Sequence, residues 1–149
     1  MNLTEGTPDG TSKKTSIIFE DMKINVKLKL SGLWVAAMFS WVYGDLLRIY
    51  SGDFIVGDDI AAGLMSMEML WMISAITMIV PGVMVVLSLT LKAEANRWTN
   101  IIVGAFYTVY NLAGLSAYPS AYDKFLIFVS IVLTALIVWN AWKWPKHEA

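Results

Sequence analysis

Apolar residues along this chain come in four long runs, at about residues 30–50, 65–91, 98–117 and 122–144, with polar stretches between them. At a rise of about 1.5 Å per residue, each run is long enough as a helix to cross a hydrocarbon core of about 30 Å. Membrane β-strands would alternate over about ten residues, and these runs do not. The connections are short apart from residues 51–64, and short links make successive helices antiparallel neighbours. The pattern therefore predicts an all-α membrane protein: an antiparallel four-helix transmembrane bundle occupying residues 22–146.

Residues 1–21 are mostly polar and cannot bury enough apolar surface to offset ordering entropy, so they are expected to form a disordered tail. After the tail, Met22, Ile24, Val26, Leu28 and Leu30 alternate with Lys23, Asn25, Lys27 and Lys29. Period two is a strand signal, but a lone strand beside a membrane has no partner. An interfacial lead-in that becomes helical, with its lysines among the headgroups, fits better.

Composition strengthens the membrane reading. Of 149 residues, 57% are hydrophobic and 15% charged, against about 45–50% and about 25% in an average soluble domain. Four spans use about 80 positions, which leaves no room for a separate soluble domain. Cysteine is absent, which removes disulfides, zinc–thiolate sites and Cys-ligated iron–sulfur clusters. The one histidine, His147, lies close to the C-terminus, so a membrane-embedded pair of histidine haem ligands is missing. No metal site or cofactor is expected, and an enzyme acting on a lipid or quinone is the least supported function class. A net charge of −1 carries no nucleic-acid footprint.

The distribution of charge says more than its total. Lys13, Lys14, Lys23, Lys27 and Lys29 precede the first run, Lys92 and Arg97 lie between the second and third, and Lys143 and Lys146 follow the fourth. The other two connections hold only Lys124, with Asp53, Asp58, Asp59 and Asp123. The positive-inside rule then places both termini in the cytoplasm. Trp98, Trp139, Trp142 and Trp144 fit an inner aromatic belt, and Tyr50, Tyr118 and Tyr122 an outer one.

Polar residues inside the runs are the candidates for chemistry. Asp45 and Arg48 are three apart in the first run and form an ion pair near its outer end. Glu68 starts the second run, where a helix N-terminus favours its charge. Asn111, with Tyr107 and Tyr110, lies in the outer half of the third. The expectation is that these six residues converge on an outer-half polar site with one negative charge in excess, suited to a cation, a small polar solute or a proton. Against it stands the plainer reading, in which the acids anchor helix ends and the amide bonds to a neighbouring helix. The acidic 51–64 connection does not match the spacing of a calcium loop.

Two features concern packing. Gly32, Ala36, Ser40 and Gly44 recur every four residues and predict a close helix contact, within the chain or with a second copy. Pro81-Gly82 interrupts the second run, where proline removes a backbone donor, frees the carbonyl of Thr77 and predicts a kink.

Three stretches together carry a resemblance: Lys27-Leu28-Lys29-Leu30-Ser31-Gly32-Leu33-Trp34, Asn96-Arg97-Trp98-Thr99-Asn100-Ile101-Ile102 and Ala141-Trp142-Lys143-Trp144-Pro145. In this order the chain resembles a family of small bacterial four-span membrane proteins catalogued as a domain of unknown function. The resemblance implies four helices and a bacterial inner-membrane location, and carries over no activity or catalytic residue. A weaker likeness, in size and span number, is to DoxX-type proteins. The partners expected are the lipid bilayer and either further copies of the chain or another membrane protein. Two functions follow: binding or moving a small polar solute or proton through the outer-half cluster, or serving as a non-catalytic structural or regulatory subunit of a membrane complex.

Overall fold

The computed structural model describes residues 24–53, 63 and 66–145. The expected tail, Asp58, Asp59, Lys146 and His147 lie outside the described residues. Four α-helices account for nearly all of the rest, and no strand occurs among the described residues: α1 Val26–Ser51, α2 Met67–Thr90, α3 Ala93–Gly114 and α4 Ala121–Trp142. The alternating lead-in is helical from Val26 onward.

Local chemistry sets the helix ends. Asn25 accepts from the Lys27 amide at 2.9 Å and starts α1. Gly52, at φ 78°, closes α1 in the left-handed conformation that glycine adopts without a Cβ clash. Ser66 accepts from the Met69 amide at 3.2 Å and starts α2. Helix α2 runs on through Pro81 to Thr90.

Cross-helix contacts give the directions. The Lys27 ammonium donates to the Leu91 carbonyl at 2.7 Å, so the start of α1 meets the end of α2. Ser51, at the end of α1, is 2.8 Å from the Tyr122 hydroxyl at the start of α4. Trp34 and Trp41 of α1 reach Asn100 and Asn111 of α3 in the same order. Successive helices thus alternate in direction. Helix α1 packs on both α2 and α4, α3 packs chiefly on α4, and α2 barely touches α3.

Three helices, α1, α2 and α4, are long and apolar enough to cross a membrane. Helix α3 matches α4 in length, at 22 residues each, but is more polar. Its three asparagines and Tyr107 point inward: Asn96, Asn100, Tyr107 and Asn111 are buried, while Ile102, Phe106, Val109 and Leu112 face out. The core is small and aromatic, with Leu30, Trp34, Met84, Tyr107, Ile137 and Ala141 in one cluster. Much of the remaining large apolar surface points outward along all four helices, as a lipid solvent requires.

Among the described glycines, the tightest surroundings are at Gly104 on α3. A Cβ there would lie 3.0 Å from Val138 Cγ2 and 3.2 Å from Ile137 Cγ2 of α4. The four-residue stripe on α1 behaves differently. A Cβ at Gly32 meets nothing within 4 Å, and one at Gly44 makes an ordinary 3.7 Å contact with Leu126. Within the chain, then, the stripe is not a tight seam at Gly32; the face of α1 that buries its side chains is Leu30, Ser31, Trp34 and Ala37.

Candidate functional site

Polar side chains collect at three levels. At the end holding the α2–α3 connection, Asn100 organises a closed network. Its Oδ1 accepts from the Trp34 indole at 2.7 Å and the Ser88 hydroxyl at 3.1 Å. Its Nδ2 donates to Asn96 Oδ1 at 2.6 Å and to the Asn96 carbonyl at 2.9 Å. Asn96 Nδ2 in turn donates to the Ser88 carbonyl at 2.6 Å. Trp34, Ser88, Asn96 and Asn100 are all 0% exposed. With the Asn100 amide saturated and water excluded, the arrangement joins α1, α2 and α3, and it offers a solute nothing to bind. All three stretches of the sequence resemblance reach this end of the fold.

One turn and more toward the other end lies the Pro81 region. The Thr77 carbonyl, which loses its helical donor to proline, accepts instead from the Tyr107 hydroxyl at 2.6 Å. Tyr107 also stacks against Trp41, with ring centroids 5.1 Å apart. Asn111 Oδ1 accepts from the Trp41 indole at 3.1 Å, which fixes the amide orientation, and its buried Nδ2 has no partner among the described residues.

The opposite end is charged. Arg48 Nε is 3.8 Å from Asp123 Oδ2, and the Arg48 guanidinium lies 4.8 Å from the centre of the Tyr118 ring. At 3.8 Å this is an ion pair without a hydrogen bond. Asp123 is only 3% exposed, and its Oδ2 accepts no hydrogen bond among the described residues. Asp45 has Arg48 and Asp123 as its charged neighbours. Beyond the helix ends, Asp53 accepts from the Tyr122 hydroxyl at 2.6 Å and the Ser120 hydroxyl at 2.7 Å. These bonds, Tyr122 first, and a contact with Ser51 hold the Asp53 carboxyl below its ordinary value.

The six residues singled out in the sequence do not form one cluster. Asp45 and Arg48 stay together and gain Asp123. Glu68 is exposed in the first turn of α2, at the same end but with no side-chain bond to them. Tyr110 turns outward, 56% exposed, beside Phe106. Asn111 is level with Trp41, seven residues before Arg48 and so about 10 Å below it. Tyr107 bridges α3 to α2. The residue missed was Asp123: read as part of a connection, it sits in the first turn of α4, three residues after the N-cap Ser120. That spacing is a helix-start signal visible in the sequence.

Two open apolar grooves run along outward faces, one over Ile102, Phe106, Val109 and Tyr110 of α3 and one over Ile131, Ala135 and Trp139 of α4. Neither includes a residue of the charged end. Among the described residues no group of three carboxylates or imidazoles is placed to hold a metal ion.

The model of a family of unknown function, DUF6326, matches residues 17–149, so the chain belongs to that family. No curated protein and no solved structure matches it. The likeness to DoxX-type proteins finds no support in this match.

Proposed function

We propose that this is a four-span protein of the bacterial inner membrane with both termini cytoplasmic, and that its outer end binds a small polar solute that brings a hydrogen-bond donor to Asp123. The inward polar face of α3 supports the fourth span: its buried amides are shielded by protein, while its outward face includes Ile102, Phe106, Val109 and Leu112. The orientation rests on charge. Lys27, Lys92, Arg97 and Lys143 share one end of the fold, while Arg48 and Lys124 hold the other.

One observation carries the binding reading. Asp123 is a buried carboxylate whose Oδ2 accepts no hydrogen bond among the described residues, and Asp45 shares its nearest cation, Arg48. A buried acceptor left short of donors is costly, and a donor-bearing solute offsets that cost. The closed Asn96–Asn100 network at the inner end supports binding over passage through the core.

The test is thermal unfolding of the purified chain in detergent, titrated with methylammonium or choline, with sodium as the donor-free counterpart that keeps the ionic strength constant. A ligand at about 100 times its dissociation constant stabilises by about 2.7 kcal/mol. At least one probe should give a saturable rise in the wild type that Asp123→Asn and Asp45→Asn reduce. Identical titrations in all three proteins would refute the site. A second reading, a structural subunit of a membrane complex, is favoured by the outward-facing Gly32, which leaves room for a helix from another chain.

A further inference from the structure

Arg97 is the second residue of the Asn96–Asn100 stretch, yet it takes no part in that network. Its guanidinium lies 5.5 Å from the centre of the Trp98 ring and 5.8 Å from that of Trp142. Both distances are within cation–π range, and together the rings hold the group from α3 and α4. Its Nε is buried and has no hydrogen-bond partner among the described residues. Arg97 as a whole is half-buried, so part of the side chain reaches the surface, where a ligand can meet it.

The surroundings do not neutralise this charge. At this end of the fold the described residues include Lys27, Lys29, Lys92, Arg97 and Lys143, against the single carboxylate of Glu94. No ion pair to Arg97 is formed among them. Lys27 donates to the carbonyls at the end of α2 and Lys143 lies over the Trp139 ring at 4.1 Å, so both add positive charge at this end without neutralising Arg97. A half-buried cation without a counterion is unfavourable.

Depth identifies the missing anion. Trp98, Trp139 and Trp142 are 49%, 57% and 61% exposed and point outward at the level of Arg97. Rings of this kind mark the headgroup layer of a bilayer. The anion present there is a phosphodiester, and a planar guanidinium matches phosphate oxygens with two donors.

We infer that Arg97, gripped by Trp98 and Trp142, is a binding site for the phosphate of an anionic phospholipid in the cytoplasmic leaflet. The excess of basic residues around it selects a headgroup with net negative charge over a zwitterionic one. The acyl chains lie on the outward apolar surface of α3 and α4.

The experiment uses the full chain, purified and delipidated in a non-ionic detergent, with lipid adducts counted by native mass spectrometry and thermal unfolding followed in parallel. The probes are phosphatidylglycerol, phosphatidylcholine and sodium glycerophosphate. Phosphatidylglycerol should be retained and should raise the unfolding temperature; the other two should do neither. Arg97→Gln should weaken retention about tenfold or more, as for loss of one charge-assisted hydrogen bond. Arg97→Lys, which keeps the charge but loses the stacked plane, should weaken it less, and it carries the test if Arg97→Gln does not fold. Lys124→Gln, at the other end, should bind as the wild type does. Equal retention by wild type, Arg97→Gln and Arg97→Lys overturns the site. Equal effects of glycerophosphate overturn the lipid assignment in favour of a free-anion site, and equal retention of phosphatidylcholine overturns charge selection.

Discussion

Tyr107 and Pro81 lie on different helices, and the structure makes their energetics interdependent. In an unbroken helix the amide of residue 81 would donate to the Thr77 carbonyl. Proline has no N–H, and the Tyr107 hydroxyl donates to that carbonyl at 2.6 Å instead. Tyr107→Phe keeps the ring packed against Trp34 and Trp41 and removes only the hydroxyl. The Thr77 carbonyl is then orphaned in a low-dielectric interior, which costs about 1–3 kcal/mol. Pro81→Ala restores an intrahelical donor. In that background the same Tyr107 substitution removes a redundant bond and should cost about 0.5 kcal/mol or less. The coupling energy is therefore on the order of 1 kcal/mol or more. Equilibrium unfolding of the four proteins in mixed micelles measures it, and the cycle cancels whatever Pro81→Ala does to helix propensity alone. An equal Tyr107→Phe loss in both backgrounds would show that this hydroxyl does not replace the missing amide.

Other substitutions separate tight from open positions. Gly104→Ala should destabilise, because its methyl lands 3.0 Å from Val138, and overpacking of this kind costs about 1–3 kcal/mol. Gly32→Ala meets open space and should be neutral or stabilise by up to about 1 kcal/mol, the helix gain of alanine over glycine; matched unfolding midpoints for the two would refute the packing argument. Asn100→Ala orphans the Trp34 indole and the Asn96 Oδ1, and should cost upwards of about 2 kcal/mol, read as loss of folded yield in detergent. Asp53 should contribute stability above its ordinary value of 3.8 and lose that contribution as pH falls through its lowered folded value. The difference between wild-type and Asp53→Asn unfolding curves should therefore shrink on acidification across that window; a difference independent of pH would count against the Tyr122 and Ser120 bonds.

The helices and their alternation were legible because lipid leaves a simple record: long apolar runs, basic residues at one set of ends, short links. What escaped was whatever depended on which way a helix faces. Helix α3 begins at Ala93 rather than 98 because Glu94, Asn96 and Arg97 dilute an apolar count without interrupting helical geometry. The same dilution hides that its three asparagines point inward. Spacing within one helix joined Asp45 to Arg48, but it cannot announce Asp123, 75 residues further on, which the alternation of α1 and α4 brings beside Arg48. The release of the Thr77 carbonyl by Pro81 was legible; that Tyr107 occupies it required the register of α3 against α2. Four-residue spacing of small residues suggested a seam on α1, within the chain or with a second copy; within the chain Gly32 has open space, while Gly104 on α3 sits close against Ile137 and Val138.

These differences share a cause. In lipid no hydrophobic gain separates one helix pairing from another, so inward polar groups and close backbone approach decide the arrangement. Around Asn100 those groups are saturated and dry, and substitution there is expected to act on folding. Around Arg48 the buried Asp123 faces its cation at 3.8 Å, too long for a hydrogen bond, with Asp45 as a second charged neighbour, and substitution there is expected to act on binding with smaller loss of fold. The two ends therefore predict opposite signatures in one experiment. Asn100→Ala should lower the unfolding midpoint and leave any solute-induced rise intact in the protein that still folds, whereas Asp123→Asn should remove the solute-induced rise while the midpoint without solute stays near that of the wild type. A midpoint loss for Asp123→Asn as large as that for Asn100→Ala, with the rise retained, would make the charged end a structural ion pair and leave it without a solute site.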